Sequence, residues 1–414
     1  MSGTIIFLDH EKSIPPFLIS SIEYASTRYE HVFYVNTRKP VNSQDLTPFR
    51  KVQVLYPSWP TLFMSLVMGG IKFLSKECRR QFFQYYKCNG FSLAYIKRLL
   101  RVQAVESVLN IQVSKIIKKS QKDEKICVIA VWFATAALSA ARLKMRFKTI
   151  TAVSLAHSYD VLVSRDKFIP FLFVGNKHQY LDGIFFIAYK IRDMYLDGIG
   201  GLSKPYLDKV FVSYLGSFNR TGALNKVRDN EFHLCTCSRT IPLKRLDLLV
   251  KALSYWNNTE IFWTHIGDGE SLDELVVQSQ EIMNSNANVH ISFTGYLNCE
   301  QITDFYIHEP VDLFVNLSSI EGLPVSIMEA ISFGIPILAT DVGGTNEIVN
   351  SQLGVLLDEK VTAEDVFREI ESFVLLPKSR KEELRKNARI YWEQHFDAHK
   401  NLHQLFSKIE SLNL

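Results

Sequence analysis

Several things are scarce in this 414-residue chain, and each scarcity excludes a class of protein. Cysteine is rare: Cys78, Cys88, Cys127, Cys235, Cys237 and Cys299 are the six, scattered along the sequence. Such spacing builds no disulfide framework and fits a reducing compartment. Cys235 and Cys237 fall on one face of a strand, where a buried pair of small side chains is the favoured reading. A metal there lacks its other ligands, and none is expected. Charge of one sign is scarce too: 47 basic against 43 acidic residues leave a formal net charge of +4, too weak to argue for a nucleic-acid partner. No apolar run is long. The longest, Ile126–Ala141, contains Thr135 and Ser139 and falls short of the roughly 20 residues that span a bilayer. The opening MSGTIIFLDH enters a strand pattern at once, with no basic n-region and cleavable apolar segment, so no signal peptide is expected and a cytoplasmic location is. Internal repeats and low-complexity segments are absent.

What remains is a globular composition, 47% hydrophobic and 22% charged, long enough for two ordinary domains. Strand patterns alternate with helical ones, which favours parallel sheets covered by helices on both faces. The strand candidates of the first half are Thr4–Leu8, His31–Val35, Val52–Leu55, Ile126–Val131, Thr149–Ser154 and Gln179–Ile187. Those of the second half are Glu231–Cys237, Ile261–Ile266, Val289–Phe293, Val311–Asn316 and Ile337–Thr340. Gly, Ser, Asn and Arg replace the apolar periodicity around Gly216–Asp229. The expected division is therefore 1–217 and 218–389, with a terminal helix at about 390–414.

Residues 311 to 348, VDLFVNLSSIEGLPVSIMEAISFGIPILATDVGGTNEI, carry the most information. After the strand ending at Asn316, Gly322 permits a sharp turn and Pro324 suits the first turn of a helix. That helix stops at Gly334, with Pro336 beyond it. Another strand leads to Gly343–Gly344. Such strand–glycine–helix units aim backbone N–H groups and a positive helix end at one spot, which suits a phosphate. Glu321 and Glu329 bracket the first turn. Carboxylates beside a phosphate would repel it, so they suit sugar hydroxyls, and the combination points to a sugar on a nucleoside diphosphate.

The spacing Glu321-x7-Glu329 within EGLPVSIMEA resembles the E-x7-E signature of the GT-B-fold retaining glycosyltransferases, the family-4-like group. Gly322, Pro324, Ser326, Ala330, Gly334, Pro336 and Gly343–Gly344 fall in register with it. The resemblance implies an α/β fold of GT-B architecture: two Rossmann-like domains with a cleft between, acceptor on the first and donor on the second, and C-terminal helices crossing back to the first. It covers 230–350 almost without interruption and the first half only in patches. The bacterial polysaccharide and lipopolysaccharide members are the most similar, around SRTIPLKRLDLL and SSIEGLPVSIMEAISFGIPILATDVGG. Where many members carry a glycine-rich loop after the first strand, this chain has Asp9-His10-Glu11-Lys12-Ser13-Ile14-Pro15-Pro16.

Ser238-Arg239-Thr240-Ile241-Pro242-Leu243-Lys244-Arg245 resembles the family's R-x4-K element, whose two cations hold the donor diphosphate. The chemistry agrees, since a departing pyrophosphate gains charge that a guanidinium and an ammonium stabilise without a metal. His157, in Ser154-Leu155-Ala156-His157-Ser158-Tyr159-Asp160, resembles the histidine of an H-x-x-D stretch that reaches the donor sugar. Asp160 suits orienting that imidazole, binding the acceptor or capping the following turn. By the same resemblance Gly267 lies near the diphosphate, Gly295 and Tyr296 near the nucleobase, and Gly322, Leu323, Val325, Ser326 and Glu329 on the donor. His157, Glu321, Arg239 and Lys244 are then the catalytic set. Asp268-Gly269 is equally at home in a plain turn.

The resemblance implies a retaining transferase that moves a hexose or N-acetylhexosamine from a UDP- or GDP-sugar to a hydroxyl of a glycan or lipid-linked acceptor, without cofactor or metal, in cell-surface polysaccharide synthesis. The rivals are a nucleotide-sugar epimerase of the same fold and a non-catalytic sugar-nucleotide-binding protein. Residues 62–103 join Phe63, Phe73, Phe82, Phe83, Tyr85 and Tyr86 to Lys72, Lys76, Arg79, Arg80, Lys87, Lys97, Arg98 and Arg101. This composition suits an anionic membrane surface, and equally an amphipathic helical pair covering the first domain.

Overall fold

The computed structural model describes residues 3–49, 51–121, 123–161, 172–219, 221–226 and 231–412. Of the expected linker, positions 220 and 227–229 lie outside the described residues. The chain forms two compact units. The first comprises Met1–Ile187, Ile191–Ser213 and Leu402–Leu414, and the second Ala188–Lys190 and Tyr214–Asn401.

In the first unit β1 (Gly3–Asp9), β2 (His31–Asn36), β3 (Val52–Leu55), β4 (Lys125–Ala130), β5 (Thr151–Ala156), β6 (Gly183–Phe186) and β7 (Val210–Val212) form one sheet in the order β3-β2-β1-β4-β5-β6-β7. All its pairings are parallel. Every residue of β1 and β5 is buried, as a parallel sheet covered on both faces requires. In the second unit β8 (Phe232–Cys237), β9 (Ile261–Ile266), β10 (Val289–Phe293), β11 (Leu313–Asn316), β12 (Ile337–Thr340) and β13 (Gly354–Leu357) pair, again all parallel, in the order β10-β9-β8-β11-β12-β13. Strand order reverses between β1 and β4 in one sheet and between β8 and β11 in the other. Crevices at the carboxyl ends of such strands are where open α/β sheets bind ligands.

Two expectations need correcting. Gln179–Ile187 is not one strand: its start closes the helix Val174–Tyr180, and only Gly183–Phe186 is extended. Asp182 makes the break, its N–H donating to Ala152 O at 2.8 Å and its carboxylate accepting from Ala152 N at 2.9 Å. The return to the first unit begins at Leu402, later than about 390. The helix Lys378–His395 stays in the second unit, whereas Ala398–Ser411 carries the fully buried Phe406 and Ile409 into the first.

Residues 62–103 fold as parts of three helices, Trp59–Phe73, Lys76–Asn89 and Leu93–Lys119. Half of the aromatics that composition grouped there face inward. Phe73, Phe82 and Tyr85 pack on a cluster of Cys78, Tyr95, Leu99, Leu138, Leu172 and Phe173, while Phe63, Phe83 and Tyr86 are exposed.

Candidate functional site

The loop after β8 holds Arg239 and Lys244, and its backbone is laced to the loop after β9. Ser238 N donates to Ile266 O at 3.0 Å, Thr240 N to Asp268 O at 3.0 Å, and Ser271 N to Thr240 O at 3.1 Å. Beneath it lies a buried chain of side chains. Trp263 Nε1, which can only donate, reaches Thr236 Oγ1 at 2.9 Å. Thr236 Oγ1 also lies 2.8 Å from His265 Nδ1, and His265 Nε2 lies 3.1 Å from Thr240 Oγ1, both within hydrogen-bond distance. Burial pushes the His265 imidazole down to about 4, so this prop stays neutral at physiological pH.

Lys244 closes a short turn at Pro242–Lys244, and Arg245 follows in the left-handed region at φ 47°. Its guanidinium donates to Leu317 O at 2.5 Å, Ser318 O at 3.3 Å and Glu359 O at 2.7 Å. These bonds offset the strain of a non-glycine residue at positive φ and clamp the loop after β8 to the loop after β11. Across that clamp, Lys244 Nζ lies 2.5 Å from Glu321 Oε1. The same oxygen accepts from Ser318 Oγ at 2.6 Å and Asn316 Nδ2 at 3.3 Å. Arg239 is exposed, five positions from Lys244 on the same loop, and makes no ion pair among the described residues. The structure thus joins Lys244 to Glu321, two residues the sequence assigned separately, and leaves Arg239 open.

Gly322, Leu323 and Pro324 lead into the helix Val325–Ser332. Leu323 is buried, Gly322 and Ser326 are half-buried, and Val325 is exposed. The loop after β12 crosses the backbone of Glu321 and Gly322, with Gly344 N donating to Gly322 O at 2.7 Å. A Cβ on Gly343, which has φ +58°, would lie 1.9 Å from Glu321 O, so only glycine fits there. Glu329 is half-buried on the helix, and its carboxylate has no hydrogen-bond partner among the described residues. Burial pushes it up to about 7. Gly267 and Gly295 pair through a 2.9 Å bond from Gly267 N to Gly295 O, and Tyr296 beyond them is 77% exposed. Asp268 Oδ1 accepts from Gly269 N at 2.7 Å, the plain-turn role.

In the first unit His157 follows β5 and is buried. Its ring lies 4.7 Å from both Phe17 and Trp132, and neither ring nitrogen has a hydrogen-bond partner among the described residues. Of the roles open to Asp160, the structure displays the cap: Oδ2 accepts from His157 N at 3.0 Å and stands 3.8 Å from Nδ1, beyond hydrogen-bond reach. Asp9, in the stretch that departs from the glycine-rich pattern, is a fully buried carboxylate. It accepts from His10 N at 2.6 Å, Glu11 N at 3.1 Å, Trp132 Nε1 at 3.1 Å and Tyr34 OH at 2.7 Å. Sequence reasoning missed Asp9, Trp132, Arg245 and His265. For Asp9 one signal existed, an acid closing an otherwise apolar strand. Among the described residues no group of three or more His, Cys, Asp or Glu is arranged to hold a metal ion.

The second unit's loops, with a lysine–glutamate pair, an open arginine and an unpartnered carboxylate at the carboxyl ends of one parallel sheet, make a built site. Residues 223–391 match the family model described as Glycosyl transferases group 1. The matched residues include Arg239, Lys244, Glu321 and Glu329. The chain is 30% identical over 160 residues to the O-antigen biosynthesis glycosyltransferase WbnH of Escherichia coli, covering 38% of this chain and 43% of that relative. It therefore spans less than half the length of the relative. Over its whole length it is similar in fold to Anabaena Alr3699/HepE in complex with UDP, with TM-score 0.71, 16% identity and coverage of 99% and 100% of the two chains. The lipopolysaccharide outer core galactosyltransferase WaaB gives TM-score 0.66 at 16% identity, covering 99% and 100%. The fold is GT-B.

Proposed function

We propose that the protein is a retaining glycosyltransferase that takes a hexose or N-acetylhexosamine from a UDP- or GDP-sugar and places it on a hydroxyl of a glycan or lipid-linked acceptor. The observation that carries this reading is the Lys244–Glu321 pair, with the exposed Arg239 five positions earlier on the same loop. Two cations suited to a diphosphate and a carboxylate suited to a sugar support it. Glu329, a carboxylate without a partner among the described residues, serves as acceptor for the ribose hydroxyls, with Gly322, Leu323, Val325 and Ser326 beside it on the donor. Gly267 then lies near the diphosphate, and Gly295 and Tyr296 near the base. By its resemblance to the family's H-x-x-D stretch His157 is a further candidate for catalysis, and Asp160 holds its loop. The names of the relatives, an O-antigen and a lipopolysaccharide enzyme and a protein holding UDP, support cell-surface polysaccharide synthesis from UDP-sugars.

In the proposed reaction the C1–O bond to the diphosphate breaks and a bond from C1 to the acceptor oxygen forms on the same face. The electron pair leaves with the nucleoside diphosphate, whose new charge Arg239 and Lys244 stabilise. The acceptor's proton ends on the departing phosphate oxygen. A screen of UDP- and GDP-sugars for binding and acceptor-dependent turnover tests the reading, and an isomerised donor formed without acceptor would replace it with the epimerase. A charge-assisted bond contributes about 1.5–3 kcal/mol, so Arg239→Ala and Lys244→Ala should each lower kcat/KM by roughly ten- to a hundredfold. Normal kinetics in Arg239→Ala would remove that residue from the diphosphate. With two cations doing this work, turnover should survive EDTA; loss in EDTA with rescue by magnesium or manganese would refute that part.

A further inference from the structure

The helix Trp59–Phe73 is built inside out. Its inward face is small and polar: Thr61, Ser65 and Gly69 are the buried positions. A Cβ on Gly69 would lie 2.9 Å from Ala104 N of the helix Leu93–Lys119, so the two helices approach closely through this small face. The large apolar residues point the other way. Trp59 is 85% and Phe63 69% exposed, and Leu66, Val67, Ile71 and Leu74 are exposed with them. Their spacing of three and four residues keeps them on one stripe. A helix on a water-facing surface has the reverse arrangement, and a continuous apolar stripe of this size marks an interaction site.

The surroundings say what covers it. Residues 59–101 hold eight Lys and Arg and a single acid, Glu77, in a chain whose overall charge is only +4. Glu77 is already paired with Arg142 at 3.0 Å. Lys72 is spent on the buried Glu106, whereas Lys76, Arg79, Arg80 and Lys87 on the next helix are exposed beside the exposed Phe83 and Tyr86. A second copy of this chain would set bases against bases, and nucleic acid offers the apolar stripe nothing. We propose that the helix Trp59–Phe73 lies in the interface of an anionic lipid bilayer, its apolar stripe among the upper acyl chains and the bases of Lys76–Asn89 on the headgroups. Such a helix sinks about 5–10 Å and does not span; no helix among the described residues is long and apolar enough to cross a membrane. This goes beyond the donor reading and stands or falls without it.

The test is binding of the full chain, with no nucleotide sugar present, to vesicles of phosphatidylcholine with and without phosphatidylglycerol. The triple variant Phe63→Ser, Leu66→Ser and Ile71→Ser changes only exposed side chains, so it should fold. It should lose at least tenfold in partitioning at every salt concentration. Arg79→Ser, Arg80→Ser and Lys87→Ser together should lose as much at low salt on anionic vesicles only. High salt should weaken wild-type binding without abolishing it, because the Debye length shrinks from about 10 Å at 0.1 M to about 3 Å at 1 M while the apolar stripe stays inserted. Bilayers brominated near the headgroup should quench wild-type tryptophan fluorescence, and Trp59→Phe should remove that quenching. Vesicle binding unchanged in the apolar variant overturns the proposal. So does a wild-type dimer that the apolar variant renders monomeric and that ignores lipid.

Discussion

Glu329 is the residue whose environment is most at odds with its chemistry. It is a carboxyl without a partner among the described residues, pushed up to about 7 by burial. Folded protein then holds a proton that the unfolded chain has lost between about 4.5 and about 7. Stability from this group is therefore full below that window and falls as pH rises through it. Glu329→Gln should lack this slope, melting above wild type at pH 8 and level with it near pH 4.5. The ribose role requires the opposite in binding: the variant should bind free nucleoside diphosphate roughly ten- to a hundredfold more weakly, since a bond to a charged acceptor contributes about 1.5–3 kcal/mol. Titration calorimetry and melting curves at the two pH values check both. Glu321→Gln should instead leave nucleotide affinity near wild type and reduce turnover, because Glu321 is assigned to the transferred sugar. Equal effects of the two on nucleotide binding would erase the distinction.

At the scale of elements, the loops at the strand ends depend on one another, and the glycine at φ +58° is where this is tightest. Gly343→Ala puts a Cβ 1.9 Å from Glu321 O, so the Glu321 loop must shift. The expected outcome is a stability loss of about 2 kcal/mol or more together with loss of turnover. Gly222, also at positive φ but with nothing within 4 Å, is the control: Gly222→Ala should cost only about 1 kcal/mol of backbone strain and leave turnover intact. Melting curves beside activity separate the two effects. The strand–loop–helix pieces and the R-x4-K and E-x7-E spacings were readable in advance because each lies within a few residues of chain. The clamp of Arg245 on Leu317 O and the support of Trp132 by Asp9 were not. Their partners stand 72 and 123 positions apart, and no local pattern encodes such a pair.

At the scale of the whole molecule the C-terminal segment finishes the first unit. Phe406 is fully buried, with ring centroids 5.1 Å from Tyr24 and 6.3 Å from Tyr29, and Glu410 takes the Arg28 guanidinium at 2.9 Å. Phe406→Ala should destabilise the first unit by about 3–5 kcal/mol. Glu410→Ala should cost no more than about 1 kcal/mol, the pair being partly exposed. Calorimetry or limited proteolysis should find the first unit's transition lowered in Phe406→Ala and the second's unmoved. A single transition lowered as a whole would mean the two units unfold together.

Alternating strand and helix patterns, an α/β fold of parallel sheets and the carboxylate and base spacings of the loops after β8 and β11 belong to the sequence, because apolar periodicity and turn chemistry act over neighbours. The tertiary structure decided which of those charges meet, since Lys244 reaches Glu321 only when β8 and β11 become neighbours. It also decided which aromatics of 62–103 face water. The composition of Trp59–Phe73 is the same whichever way the helix turns. Only the close approach of Gly69 to Ala104 fixes its small face inward and its large apolar face outward.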